Sequence, residues 1–254
     1  MRIVLIGAGN LMSSLAPALW RAGHELLQVF SRTERSAKRL AERVGGISYT
    51  ITLNDVVRSA DVYLYAIPDE CYPLKPIDAP NAVHLLTSGS VPYSALTGTP
   101  HCGVLYPFQT FSKEKPVEDF SQIPVLVEGS DEQSLAVAEE LAQSVSDKVY
   151  KSTAQSRARL HLAGVLANNF SNCLYALAKE QLDIAGLPFD LLLPLIDETA
   201  RKVHTLDPRD AQTGPAARGD KAVMQKQMTM LPEELRPVYS LLSENIRCSA
   251  SNNS

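Results

Sequence analysis

The chain has 254 residues, of which 45% are hydrophobic and 20% are charged, and its formal net charge is −4 at pH 7. This composition is typical of a globular protein of one or two domains, and the charge gives no reason to expect nucleic acid or an anionic membrane as a partner. Its four scattered cysteines have no metal-ligand spacing, and its apolar runs are too short for a signal peptide or a membrane span. We therefore expect a cytoplasmic protein with reduced thiols and no metal site.

The first part of the chain alternates short β-rich runs with helical patterns. Strands are predicted at 2–7, 26–31, 47–50, 61–68, 82–89, 102–107, 123–129 and 148–151. Helices are predicted from residue 10 to Gly23, near 33–43 and near 131–145. Strands that alternate with helices indicate a mostly parallel, doubly wound sheet covered by helices.

The strand patterns stop after residue 151. One long helix is predicted to follow, with Ser152 or Thr153 as its N-cap and Gly186 as its terminator. Further helical patterns lie near 189–204, 219–230 and 233–247. The sequence thus predicts an α/β domain over residues 1–151 and an all-α domain over residues 152–254.

A glycine-rich turn follows the first predicted strand. Gly7 and Gly9 form the G-x-G of a dinucleotide fingerprint, in which the first glycine permits the turn and the second lets the backbone approach a pyrophosphate. Met12 stands where a third small residue would allow close helix packing. A buried strand and helix joined by glycines is the alternative interpretation. On the cofactor interpretation, Asn10 and Leu11 complete the binding turn.

The second predicted strand ends in "VFSRT", without the acidic residue that binds the ribose of NAD. Ser31, Arg32 and Thr33 offer two hydroxyls and a guanidinium, which suit a 2′-phosphate. A solvated helix start would use the same residue types, since Ser and Thr are common caps. Together with the glycine turn upstream, this segment favours NADP as cofactor.

Several motifs carry a resemblance to a known family. They are "GAGNL" (7–11), "VFSRT" (29–33), "HCGVLYPFQTFS" (101–112), "RLHLAGVLANNFSN" (159–172) and "QTGPAARGD" (212–220). With them the chain resembles the NADP oxidoreductases that join a Rossmann-like domain to a C-terminal helical domain of unassigned function. These proteins lie within the pyrroline-5-carboxylate reductase and ketopantoate reductase-like superfamily. The resemblance implies an oxidoreductase with a helical region like the C-terminal domain of 6-phosphogluconate dehydrogenase, assembled as a homodimer.

Ligands of a doubly wound sheet bind beyond the carboxyl ends of its strands. We therefore expect residues of three strand ends to face the cofactor or the substrate. The cofactor candidates are Ala66, Ile67, Pro68 and Ser88, and the substrate candidates are Tyr106 and Gln109. An ordinary turn is an equal alternative for the segment around Ser88.

The long predicted helix carries a polar stripe on an otherwise apolar sequence. Residues seven and eleven apart nearly eclipse on an α-helix, so His161, Asn168 and Asn172 share one face. In ketopantoate reductase-like enzymes, a catalytic Lys and Asn residues have comparable spacing, and the resemblance implies that His161 protonates the substrate. A polar seam at a dimer interface is the alternative. Arg218 suits a substrate carboxylate or phosphate.

These observations predict an NADPH-dependent reductase acting on a small polar carbonyl or imine. Two further hypotheses stay open. The first is a non-catalytic NADP-binding sensor or scaffold, and the second is a helical interaction module whose polar stripe is a subunit seam.

Overall fold

The computed structural model describes the backbone of residues 1–251 and the side chains of residues 1–248. Its eight strands form one sheet in the order β3-β2-β1-β4-β5-β6-β7-β8, and only the pairing of β6 with β7 is antiparallel. The strands are β1 (Arg2–Ile6), β2 (Glu25–Phe30), β3 (Ser48–Thr50), β4 (Val62–Tyr65), β5 (Val83–Leu86), β6 (Cys102–Pro107), β7 (Val125–Gly129) and β8 (Val149–Lys151). The predicted α/β architecture with a Rossmann-like, mostly parallel sheet is confirmed.

The helices that connect or follow these strands vary in length. They are α1 (Met12–Arg21), α2 (Glu34–Arg43), α3 (Glu132–Gln143), α4 (Ala154–Gly164), α5 (Ser171–Ala185), α6 (Leu193–Lys202), α7 (Pro215–Arg218), α8 (Lys221–Met230) and α9 (Arg236–Ser251). A π-helical segment, Val165–Phe170, joins α4 to α5. Short 3-10 turns lie at Leu53–Asp55, Asp69–Cys71, Tyr93–Ala95, Phe189–Leu192 and Glu233–Leu235.

The two faces of the sheet are covered differently. Alternate residues of β1 point to opposite faces, with Ile3 and Leu5 in one apolar cluster and Val4 and Ile6 in the other. Helices α1, α2 and α3 cover the first face, whereas the second face packs against loops that contain 3-10 turns. Strands buried on both faces explain why β1 reads as a continuous apolar run.

The chain divides into two compact units, Met1–Cys173 and Leu174–Ser254. The first unit contains the sheet, α1 to α4 and the π segment; the boundary falls within α5, and the second unit contains α6 to α9. The last strand ends at Lys151, where the sequence pattern changes. The functional boundary at residue 151 stays a prediction, and residues 252–254 of the predicted helical domain lie outside the described residues.

The caps predicted for the long helix are present. Thr153 is the N-cap of α4 and accepts a hydrogen bond from the Ser156 amide, in a reciprocal capping box. Gly186 follows α5 with a positive φ of 66°, which glycine adopts without strain. No described helix is long and apolar enough to cross a membrane.

Candidate active site

The glycine turn lies where β1, β2 and β4 end. Gly7 has φ of 112°, and a Cβ atom there would lie 2.2 Å from the carbonyl oxygen of Ala66, so no larger residue fits. Its amide donates to the Phe30 carbonyl at 2.8 Å. A Cβ at Gly9 would meet no described atom within 4 Å, so the backbone there is open to a ligand. The predicted third position, Met12, is fully buried in the core.

The first turn of α1 is suited to a negatively charged ligand. Leu11 is the N-cap and makes no side-chain cap bond, and this turn contains no acidic residue. The amides of Ser13 and Ser14 already donate to the Gly9 and Leu11 carbonyls, so the attraction of this turn for an anion comes mainly from the helix dipole. Asn10 is drawn into the turn through its carbonyl oxygen, which accepts from the Ser13 hydroxyl at 2.6 Å.

The end of β2 presents the predicted phosphate-binding group at the surface. Arg32 and Thr33 are exposed and Ser31 is half-buried. Thr33 is the N-cap of α2, but its hydroxyl makes no cap bond and is therefore available to a ligand. The first helical residue is Glu34, whose carboxylate accepts a bond from Tyr49.

The loop after β5 is held by its own hydroxyls. The hydroxyl oxygen of Ser88 accepts bonds from the amides of Ser90 and Val91, both at 3.1 Å, which is the geometry of an ordinary turn. The Ser90 hydroxyl donates to the Asp69 carboxylate. Ser88 thus shapes this loop, and its contact with a cofactor stays a prediction.

Tyr106 of β6 and His161 of α4 form a hydrogen-bonded pair beside this loop. The Tyr106 hydroxyl and His161 Nδ1 lie 3.0 Å apart. A Cβ atom at Gly89 would lie 2.7 Å from each of these side chains, so the loop backbone packs directly against the pair. Tyr106 is near the carboxyl end of β6, which is parallel to β5. The pair therefore lies at the end of the sheet where the parallel strands have their carboxyl ends, as does the glycine turn after β1.

The surroundings of Tyr106 favour its protonated form. Burial raises the pKa of its phenol above the ordinary value, because the phenolate loses solvation. The Arg157 guanidinium opposes this shift, and the Asp69 carboxylate adds to it. Tyr106 is therefore a hydrogen-bond donor throughout the neutral pH range.

A cavity of about 230 Å³ opens beside the pair. Polar groups line it together with apolar ones, as in a site for a small polar molecule. Its lining comprises Tyr106, Phe108, Gln109, Thr110, His161, Gly164, Val165, Ala167, Asn168 and Asn169. Four of the predicted site residues, Tyr106, Gln109, His161 and Asn168, therefore meet at one cavity.

Asn172, predicted on the same stripe, is outside this lining. The prediction assumed continuous α-helical geometry, but the chain runs as a π-helix over Val165–Phe170. The wider π turn shifts every later residue around the helix axis, so Asn169 joins the lining and Asn172 does not. Local π segments are frequent at functional sites.

Two residues near this cavity were not predicted from the sequence, and one predicted residue belongs to the other compact unit. Arg157 is fully buried, with its guanidinium paired to Glu128 and donating to the Val91 carbonyl at 3.0 Å. Gly89 packs against the catalytic candidates, but no sequence signal marks it. Arg218, at the end of α7, belongs to the second compact unit, and its contact with substrate stays a prediction.

The remaining cofactor candidates follow β4. The carbonyl oxygen of Ala66 packs against Gly7, and the Ala66 amide donates to the Ile6 carbonyl at 2.8 Å. Ile67 packs against Gly7, and Pro68 begins the 3-10 turn that carries Asp69. Within the described residues, no group of three His, Cys, Asp or Glu side chains could hold a metal ion.

The fold and these strand-end residues define a Rossmann-like dinucleotide-binding protein. Residues 2–75 match the family described as "NADP oxidoreductase coenzyme F420-dependent", and residues 123–246 match a domain of unknown function, DUF2520. A candidate NADP oxidoreductase from Bacteroides fragilis is 44% identical, with 97% of each chain covered and a TM-score of 0.91. The chain belongs to this NADP oxidoreductase family. No curated protein matches it.

More distant structures share the fold. The 1-pyrroline-5-carboxylate reductase of Streptococcus pyogenes is 16% identical, with 98% of each chain covered and a TM-score of 0.61. An imine reductase of Myxococcus stipitatus, solved with NADP⁺, is 15% identical, with 99% of this chain and 93% of that chain covered and a TM-score of 0.62.

Proposed function

We propose that the protein is an NADPH-dependent reductase of a small polar carbonyl or imine compound. The observation that carries this proposal is the hydrogen-bonded pair of Tyr106 and His161, 3.0 Å apart at a cavity on the sheet edge where Gly7 also lies. A proton donor beside a small polar cavity is what a reductase requires at the atom that gains a proton.

The residues at the sheet edge fit NADP. Gly7 and Gly9 leave the backbone open where a pyrophosphate approaches, and the N-terminus of α1 has no acidic residue. Arg32 and Thr33 would hold the 2′-phosphate, since a guanidinium fork and a free hydroxyl match its oxygens. When bound, NADPH supplies the hydride.

The chain's own residues then supply the proton. Tyr106 donates its hydroxyl proton to the oxygen or nitrogen of the substrate, and the phenolate regains a proton that solvent supplies through His161 along their hydrogen bond. Hydride and proton together convert a carbonyl to an alcohol or an imine to an amine. Gln109 and Asn168 orient the polar groups of the substrate, and Phe108 provides an apolar wall of the same cavity.

Cofactor binding is tested by titrating the protein with NADPH and NADH and following fluorescence. Tighter NADPH binding is expected, with the preference lost in Arg32→Ala and kept in Lys38→Ala, a matched loss of charge on an exposed part of α2. Failure of the wild-type protein to bind either nucleotide would contradict the proposal.

Turnover is tested by NADPH oxidation with small keto acids, cyclic imines and coenzyme F420, which the description of the N-terminal domain names. In Tyr106→Phe and His161→Asn we expect kcat to fall by about 10²–10⁴-fold, the usual contribution of a positioned acid. His204→Asn, at an exposed histidine of the second unit, is the control. NADPH binding with no turnover of any compound would favour a sensor.

We further propose that the protein is a cytoplasmic homodimer. All four cysteines are free, as in a reducing compartment. On the helical segment from α4 into the π segment, Leu162, Leu166 and Phe170 recur every four residues and are about half exposed. An apolar stripe of this kind suits a second copy of the chain. Light scattering should give twice the mass of one chain, and a monomeric mass at micromolar concentration would contradict the proposal.

A further inference from the structure

Two polar pairs join α4 to the same face of the sheet. In the first, His161 contacts Tyr106 at 3.0 Å. In the second, Arg157, four residues earlier and therefore on the same side of α4, pairs with Glu128 of β7. Glu128 stands opposite Val104, which is two residues before Tyr106 in β6, so the two sheet partners project from one face. The ion pair therefore lies beside the candidate proton donor.

The loop after β5 packs against both pairs. A Cβ atom at Gly89 would lie 2.7 Å from His161 Nδ1 and 2.7 Å from the Tyr106 hydroxyl oxygen. Two residues later, the Val91 carbonyl accepts a hydrogen bond from the Arg157 guanidinium at 3.0 Å. Arg157 thus holds the stretch of backbone that packs against Tyr106 and His161.

The burial of Arg157 is costly for the fold. Its side chain is fully buried, and within the described residues its Nε–H group has no hydrogen-bond partner. A buried ion pair is often no more stable than an apolar pair of the same volume, and a buried donor without a partner costs free energy. Stability alone therefore does not explain this guanidinium, whereas a weakly screened positive charge beside a reactive site does.

The charged and titratable groups around the Tyr106 phenol come from three elements. They are Arg157 and His161 of α4, Glu128 of β7 and Asp69 of the 3-10 turn after β4. Burial raises the pKa of the phenol and Asp69 adds to this effect, whereas Arg157 acts in the opposite direction. A phenolate at Tyr106 is therefore favoured by the Arg157 charge.

We propose that Arg157 is a positioning residue for the proton donor, which holds the loop at Val91 against the Tyr106–His161 pair and stabilises the phenolate left by proton transfer. Its part in turnover rests on the proposed function, whereas its effect on the acidity of the phenol does not. In the transfer, the O–H bond of Tyr106 breaks as the proton bonds to the substrate oxygen or nitrogen. The electron pair stays on the phenol oxygen, near the guanidinium, until solvent returns a proton through His161.

The acidity of the phenol is measured in the whole protein with a difluorotyrosine incorporated in place of Tyr106. Fluorine NMR then follows the ionisation of this one side chain, whether or not a substrate is known. The titration is repeated in Arg157→Gln, which removes the charge, and in Arg157→Lys, which keeps it. Arg159→Gln is the matched control, since Arg159 is an exposed cation of the same helix.

We expect Arg157→Gln to make the phenol an acid about tenfold or more weaker, because a nearby charge at a poorly solvated site has an effect of this size. Arg157→Lys should stay close to the wild type, and Arg159→Gln should leave the phenol unchanged. Circular dichroism verifies that each variant is folded. If Arg157→Gln does not fold, Glu128→Gln replaces it as the test. There the guanidinium stays and loses its compensating carboxylate, so the phenol should become a stronger acid.

Turnover gives a second measurement once a compound is found to be reduced. Arg157→Gln should lower kcat by about tenfold or more and leave KM and the Kd of NADPH near their wild-type values, because the phenolate forms only during the reaction. Arg157→Lys should restore most of kcat.

An unchanged phenol in folded Arg157→Gln, or in Glu128→Gln where that variant is needed, would overturn the proposal. An equal effect of Arg159→Gln would do the same, as would an unchanged kcat in folded Arg157→Gln. A weaker phenol in Arg157→Gln, in a protein that reduces none of the compounds tried, would reject the reductase and leave the effect of Arg157 on Tyr106 standing.

Discussion

The two compact units differ in where their apolar side chains lie. In the first unit, the strands and helices α1 to α3 bury a large set of leucines, valines and isoleucines on both faces of the sheet. In the described part of the second unit, Ala216 is the one buried hydrophobic residue, and many large apolar side chains are exposed, including Ile184, Leu195 and Leu241. The first unit thus provides its own core, while the second leaves most of its large apolar side chains exposed or only partly buried.

The largest expected effect comes from truncating the same residue type in each unit. Leu64 of β4 is fully buried, whereas Leu241 of α9 is 63% exposed. We expect Leu64→Ala to lower the free energy of unfolding by about 2–5 kcal/mol, because it removes buried carbons and leaves a cavity. Leu241→Ala should cost less than about 0.5 kcal/mol in the monomer. Urea denaturation measures both.

Protein concentration sharpens this comparison. If a second copy covers α9, the cost of Leu241→Ala should rise with protein concentration, because association stabilises the folded state by mass action. An equal loss for both variants at every concentration would show that the two units do not differ as the structure indicates.

Ion pairs offer a second comparison with a smaller expected difference. Arg157 is fully buried and paired with Glu128, while Arg201 pairs with Glu198 at the surface. We expect Arg157→Met to lower the free energy of unfolding by about 3 kcal/mol, because a mostly buried carboxylate loses its partner. Arg201→Met should cost less than about 1 kcal/mol. A stable Arg157→Met protein would contradict the burial of this pair.

The sequence was sufficient to predict most of the sheet and several of the residues that line the cavity. Continuous β-rich runs such as "RIVLIG" are distinctive because a strand buried on both faces has no polar alternation. The glycine turn was also recognisable, since Gly7 satisfies a strict backbone requirement that the structure explains through Ala66. Tyr106 was predicted from its position at a strand end, where parallel sheets place their ligands.

The remaining parts of the site depend on tertiary contacts. Gly164 allows the ring of Phe108 to approach the helix, since a Cβ atom there would lie 2.7 Å from that ring, and the π segment starts at the next residue. Neither the approach nor the change of helix type leaves a pattern in the sequence, so the sequence does not predict that Asn172 is outside the lining of this cavity. Gly89 packs against His161, which is far from it in the chain, so this contact could not be predicted from the sequence either.

Helix caps give a third comparison of the two units, with a smaller expected change in the unfolding free energy. Asp131 caps α3 in a reciprocal capping box, accepts from the Ser134 amide at 2.7 Å and also pairs with His101. Asp220 caps α8 by a single bond from the Val223 amide at 3.1 Å. We expect Asp131→Ala to cost about 1–2 kcal/mol and Asp220→Ala about 0.5–1 kcal/mol of unfolding free energy. Thermal denaturation at neutral pH measures both, and the reverse order would contradict the prediction.

The smallest expected effect is a loss of stability as the pH falls, and it arises from a buried histidine of the first unit. His84 is fully buried in β5, with Nδ1 3.0 Å from the Tyr65 hydroxyl and Nε2 3.3 Å from the Ala79 carbonyl oxygen. These contacts suit a neutral ring that donates from Nε2 to the carbonyl and accepts at Nδ1 from the tyrosine. Burial lowers the pKa of His84, and burial likewise lowers that of His24.

Because both pKa values are lower in the folded than in the unfolded state, the unfolded chain takes up protons first as the pH falls. The unfolding free energy should therefore be flat above about pH 7 and decrease below the ordinary histidine value near 6.5. Urea denaturation between pH 7.5 and 5.5 measures this slope. His84→Leu should reduce the slope while lowering stability at neutral pH, since the Tyr65 hydroxyl loses its acceptor. A slope unaffected by His84→Leu would contradict the assignment to this buried ring.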